Sequence, residues 1–155
     1  LIILVDVKQI NLPAYGARIE NRDGVDHIFD EVRRKWLVCT PEEWVRQHII
    51  MYLHQNFHYP LGLMEVEKGM DLYGLKKRAD IVLRDGNGAL SLVVECKAPE
   101  IKIKQDVFDQ VSRYNLVMKA PFLLVTNGME IHCWKIDFDE KKVEFLNEIP
   151  TYIQK

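Results

Sequence analysis

The stretch from Lys76 to Pro99, KKRADIVLRDGNGALSLVVECKAP, decides how the chain is read. Two apolar, β-branched runs, Ala79 to Leu83 and Leu90 to Val94, flank the turn sequence Asp85-Gly86-Asn87-Gly88, a strong signal for an antiparallel hairpin. Charges stand where such strands bury side chains: Asp80 inside the first run, Glu95 and Lys97 closing the second. An unpaired charge there is penalised by several kcal/mol, so each needs a partner, and a metal ion is one candidate. Strand alternation puts Glu95 and Lys97 on one face with Ser91 and Val93, and Leu92, Val94, Cys96 and Ala98 on the other. An acidic and a basic group therefore converge on one spot.

Upstream of this hairpin, Thr40 followed by Pro41 and Glu43 is a helix start with a capping-box pattern. Val45, Ile49, Tyr52 or Leu53, and Phe57 recur at helical spacing, which predicts a helix from Pro41 to about Asn56, stopped by Tyr59-Pro60-Leu61-Gly62. Leu63 to Lys68 alternates as a strand and Gly69 to Leu75 reads as a turn. Before the helix, Leu1 to Leu12 reads as extended, and the polar turn Asn21-Arg22-Asp23-Gly24, with Val25 to Phe29 and Trp36 to Val38, predicts a small ribbon. Downstream, Ile103, Val107, Val111, Tyr114 and Met118 mark a second amphipathic helix. Phe122 to Thr126 is a buried strand, and Asn127-Gly128 turns into Glu130 to Phe138, with a last strand over Lys142 to Leu146. The order is helix, three strands, helix, strands.

The chain's 155 residues, 48% of them hydrophobic, are enough for one domain with a real core. A net charge of -2 gives no overall electrostatic case for nucleic-acid binding, so any basic surface must be local. Lys76, Lys77, Arg78, Lys102, Lys104, Arg113 and Lys119 bracket the hairpin and can form such a rim. Cys39, Cys96 and Cys133 lack paired spacing, which favours a reducing cytoplasm over a disulfide scaffold or zinc knuckle. The apolar opening is too short for a membrane span. His54 and His58, four apart, read as helix-end residues, and Gly86-x-Gly88 as a hairpin turn with no phosphate-loop character.

Magnesium-assisted phosphodiester cleavage needs oxygen ligands at about 2.0–2.1 Å, commonly one or two carboxylates with water and substrate phosphate. Asp80 and Glu95 can supply the carboxylates, and the backbone carbonyl of Cys96 a further ligand. Lys97 is placed to orient or deprotonate a water and to offset charge building on phosphorus. The plainer alternative is a Glu95–Lys97 salt bridge at a strand end with Asp80 solvated near a turn.

Arg78-Ala79-Asp80 followed by Val94-Glu95-Cys96-Lys97-Ala98-Pro99 resembles the motif of the PD-(D/E)XK nuclease superfamily, with alanine where that name has proline. The likeness is to the N-terminal nuclease domain of type I restriction enzyme R subunits, since Thr40-Pro41-Glu42-Glu43-Trp44-Val45-Arg46-Gln47 resembles that group's opening helix. Gln110-Val111-Ser112-Arg113-Tyr114 matches its Gln-x-x-x-Tyr element, also found in RecB-type nucleases. The resemblance covers about Thr40 to Asn127 and touches Ile28 to Cys39. It implies an α/β fold with a restriction-endonuclease-like core (helix, three strands, helix, strand), a central mixed sheet flanked by helices, and an N-terminal β extension. One nuclease-like domain is expected over residues 1–155, with the extension at 1–39, the catalytic core at 40–127 and C-terminal strands at 128–155.

The resemblance further implies a metal-dependent DNA endonuclease. Glu43, Asp80, Glu95 and Lys97 would be catalytic, with Mg2+ (or Mn2+ in its place) on Asp80, Glu95 and the Cys96 carbonyl. Gln110 and Tyr114 would position the site and DNA. DNA and a larger restriction or repair complex are the expected partners, with no membrane. No G-x-x-x-x-G-K-[ST] loop is present, so no ATP site is expected. The alternative is a nuclease-fold module that binds nucleic acid or a protein without turnover.

Overall fold

The computed structural model describes residues 9–154, apart from the side chains of Met70 and Leu72. Strands β1 (Ile19–Arg22), β2 (Val25–Asp30) and β3 (Lys35–Val38) form an antiparallel ribbon. Its first turn is held by Asn21, whose Oδ1 accepts the Gly24 N–H at 3.1 Å. The main sheet takes β4 (Met64–Leu72), β5 (Leu75–Arg84), β6 (Leu90–Cys96), β7 (Phe122–Thr126), β8 (Ile131–Asp137) and β9 (Lys142–Leu146) in that spatial order. Helix α1 (Pro41–Phe57) precedes β4, and helix α2 (Gln105–Met118) joins β6 to β7. Only β6 and β7 pair in parallel, because a helical crossover is what returns the chain in the same direction.

Local chemistry explains most of these elements. Asp85 closes the central hairpin by accepting the N–H groups of Asn87 and Ala89 at 2.9 and 3.0 Å. Thr40 caps α1 by accepting the Glu43 N–H at 3.1 Å, with Pro41 at the first helical position, and His58 ends it with φ 65°. Helix α1 buries Val45, Ile49, Ile50 and Leu53 with Ile81, Leu83, Leu92 and Val94, while α2 buries Val107 and Val111 with Val82, Val93, Leu123 and Val125. The two helices thus pack on opposite sets of β6 side chains, giving a mixed α/β architecture around a central mixed sheet.

Three sequence expectations are corrected. The turn expected over Gly69 to Leu75 shrinks to Tyr73-Gly74, because Gly69 stays in register opposite Arg78 and Asp71 Oδ1 takes the Gly74 N–H at 2.8 Å. Ile103 lies ahead of α2, which begins after an extended Lys104. Of the extended segment expected over Leu1 to Leu12, residues 1–8 lie outside the described residues. Its end is no strand: the Asn11 N–H donates to the Gly128 carbonyl at 2.7 Å and its side chain to Met129 at 2.9 Å.

Face alternation slips along β5. Ala79 joins the cluster under α2, whereas Ile81 joins the one under α1. Asp80 lies between them, opposite Glu67, whose φ of 54° is left-handed. The slip occurs at the residue that carries the site's first carboxylate.

Candidate active site

The pairing of Ile81 with Val94, carried one residue further, sets Asp80, midway along β5, opposite Glu95 near the end of β6. Asp80 is 14% exposed at its side chain, so it is not solvated near a turn. Its Oδ2 accepts the Cys96 N–H at 2.7 Å and its Oδ1 accepts from Arg46 at 3.1 Å. The Lys97 Nζ sits 3.4 Å from Glu95 Oε1 and donates to Gln110 Oε1 at 3.4 Å. Gln110 in turn donates to the Tyr114 hydroxyl at 2.7 Å, so the two α2 residues four apart do face the same way. The Lys97 backbone N–H donates to Thr126 at 2.9 Å, tying this end of β6 to β7.

Burial and the neighbouring Asp80 charge push the Glu95 carboxyl up to about 8, against the lowering pull of Lys97. Two carboxylates have been brought together out of water with too little positive charge around Glu95 to ionise it readily. The Cys96 thiol is fully buried and pushed well up by that burial.

Glu43 sits one step removed. Its carboxylate accepts from Arg46 at 2.9 Å, Gln47 at 3.3 Å and Arg33 at 3.4 Å. The capping box is therefore used in one direction: Thr40 caps the helix while the Glu43 side chain turns to the arginines. Arg46 is the hub, reaching Asp80, Glu43, Glu42 at 3.3 Å and Glu67 at 3.5 Å. Burial opposes its charge, but Glu43, Asp80 and Glu67 outweigh that and push its pKa up. Glu42 feels both Asp80 and Lys97, and burial raises its carboxyl.

Sequence reasoning missed Arg46, Gln47, Arg33, Glu67 and Glu42. A usable signal existed for Arg46, a charged residue three positions after Glu43 on the buried side of the helix. Of the basic rim, Lys77 and Arg113 face one cleft with Gln110 and Tyr114. Lys119 instead lies at the far end of α2 over Phe138. His54 is spent on the Tyr59 carbonyl at 2.8 Å.

Among the described residues no group of three or more His, Cys, Asp or Glu side chains gathers into a cage, so a cation here would rest on the Asp80 and Glu95 carboxylates and the Cys96 carbonyl. That set suits magnesium, which keeps several waters and shares substrate oxygens, and suits zinc poorly. Among the same residues no helix is long and apolar enough to cross a membrane.

Comparison with known proteins follows from this geometry. No curated protein matches the chain. Its fold is similar to a fragment assigned as the HsdR subunit of a type I restriction enzyme from Vibrio vulnificus YJ016. The TM-score is 0.52 and the identity 18%, over 73% of this chain and 24% of that one. The chain therefore spans about a quarter of that relative, and the likeness bears on fold alone. The family model described as type I restriction enzyme R protein N terminus matches residues 41–150, from the first residue of α1 past the end of β9. Helix, hairpin, crossover and closing strands all fall within that match, and the chain belongs to the type I restriction enzyme R protein N terminus family.

Proposed function

We propose that this chain is a nuclease domain of the PD-(D/E)XK type, with a restriction-endonuclease-like core, that hydrolyses DNA phosphodiester bonds with Mg2+, or Mn2+ in its place. The observation that carries the reading is the convergence of Asp80, Glu95 and Lys97 where the end of β6 meets the middle of β5. Asp80, Glu95 and the Cys96 carbonyl would hold the cation, which when bound polarises the phosphoryl oxygens and supplies an activated water. Lys97 orients the water and offsets charge developing on phosphorus. Gln110 and Tyr114 fix the lysine's direction. Glu43 acts through Arg46, which holds Asp80 in place.

Family membership supports a place in a larger restriction complex, and three free, buried cysteines support a reducing, cytoplasmic setting. The test is incubation of the purified chain with linear, circular and branched DNA and Mg2+ or Mn2+. Wild type cleaves, and Lys97→Ala drops to background. Equal cleavage by both would reject the enzyme reading.

A second reading has one observation in its favour: Asp80 is already neutralised by Arg46, as a binding module without turnover would have it. Calorimetry separates the two. DNA binding without magnesium affinity at Asp80 and Glu95 supports the module.

A further inference from the structure

The hairpin of β4 and β5 outruns the rest of the sheet. Pairing of β5 with β6 extends only to Ile81, yet β4 and β5 stay paired for five further rungs, from Lys68 opposite Ala79 to Leu72 opposite Leu75. The result is an arm that continues past Asp80 and beyond the end of β6 that carries Glu95. Its tip is Tyr73, 83% exposed, beside Leu75, 61% exposed. The Tyr73 ring at the end of the two-stranded arm is therefore open to a partner.

The arm and α2 enclose an open cleft of about 550 Å³ lined by Tyr73, Leu75, Lys77, Gln110, Arg113 and Tyr114, with Asp106 also at its edge. Lys77 comes from the arm and Arg113 from α2, both exposed, so two cations face the space from opposite walls. Gln110 and Tyr114 form the end that meets Lys97, so the cleft opens directly beside the carboxylate pair. A space of this size matches the range of about 300–1,000 Å³ that takes a ligand of small-molecule size, which is the scale of a nucleotide or two of one strand. Cations on both walls with an exposed ring between them suit phosphates and an unpaired base.

We infer that the arm of β4 and β5, closing over α2, grips a single unpaired DNA strand beside the carboxylate centre, with Lys77 and Arg113 on successive phosphates and Tyr73 stacked on a base. This rests on the nuclease reading for its substrate class, but it makes a claim of its own: the strand is held unpaired at the site. The rings and cations concerned are exposed, so replacing them leaves the core intact.

The experiment is fluorescence anisotropy of the whole chain with labelled dT20 and with a blunt duplex, in EDTA so that no cleavage occurs. Tyr73→Ala is expected to weaken dT20 binding about 5- to 150-fold, the worth of one stacked base, with Tyr73→Phe restoring it. Lys77→Ala combined with Arg113→Ala is expected to lower the slope of log affinity against log salt by about 1.4, two phosphates at roughly 0.7 each. Wild type should favour dT20 over the duplex. Unchanged dT20 binding in these variants, preference for the duplex, or displacement of dT20 by a poly-glutamate peptide at equal charge would overturn the arm's role. Cleavage assays on the same proteins keep the two readings apart. Arm-dependent dT20 binding without cleavage rejects the nuclease reading and leaves the arm standing, whereas Lys97-dependent cleavage with arm-independent binding does the reverse.

Discussion

Arg46 does more for the site than any other single residue, because it is a buried cation shared by carboxylates from α1, β4 and β5. Removing it leaves Asp80 buried without its ion-pair partner and Glu43 with Arg33 alone, at 3.4 Å, so Arg46→Met should destabilise the chain by about 3–5 kcal/mol, read from urea unfolding. Adding Glu43→Gln to that variant should recover part of the loss. Glu95 makes the opposite prediction. Its folded pKa of about 8 lies above the ordinary value of 4.5, so the folded chain holds a proton that the unfolded chain releases. The stability this confers is fully present below about pH 4.5 and disappears as pH rises through 8. Urea midpoints in EDTA at pH 5, 6.5 and 8 should therefore fall more steeply for wild type than for Glu95→Gln. Parallel curves would mean that Glu95 is not held protonated. At Arg46 the sequence carried a signal for its Glu43 contact three residues back and none for Asp80, 34 residues away.

At the level of elements, sequence pattern was strongest where one side chain satisfies its own neighbours. The Thr40 cap and the Asp85 turn both work within a few residues, and both elements form where their residues predict. Thr40→Ala should cost about 1 kcal/mol. Gly69 misled because glycine is a turn signal, but nothing lies within 4 Å of where its Cβ would be, and the strand continues through it. Gly128 is the contrasting case. With φ of 83°, a Cβ there would meet Ile10 at 2.9 Å and Val45 at 3.1 Å. Gly128→Ala should lose about 1–3 kcal/mol in thermal or urea unfolding, while Gly69→Ala should be neutral or slightly stabilising.

Over the whole molecule, the sheet joins two apolar clusters, and Asp80 lies on β5 between Ala79 of one and Ile81 of the other, opposite the end of β6. Divalent cations that neutralise the carboxylate pair in the folded chain alone must stabilise it by mass action, about 2.7 kcal/mol at a hundredfold excess over Kd. For a chain of this size that raises Tm by about 5–10 °C. Scanning fluorimetry should show the rise with Mg2+ in wild type and lose it in Glu95→Gln. A wild type indifferent to Mg2+ and Mn2+ would leave the non-catalytic module as the better account.

What the sequence determined by itself was the order of helices and strands and the candidate set Glu43, Asp80, Glu95, Lys97, Gln110 and Tyr114, because caps, turns and apolar periodicity act over a few residues. Tertiary structure alone decided the slip at Asp80, the turn of Glu43 away from its cap, the arginine shared among four carboxylates and the arm beyond the sheet. The reason is electrostatic and steric: a buried charge is compensated by whatever the fold brings within about 4 Å. That set is fixed by strand register and helix docking, which no local pattern records.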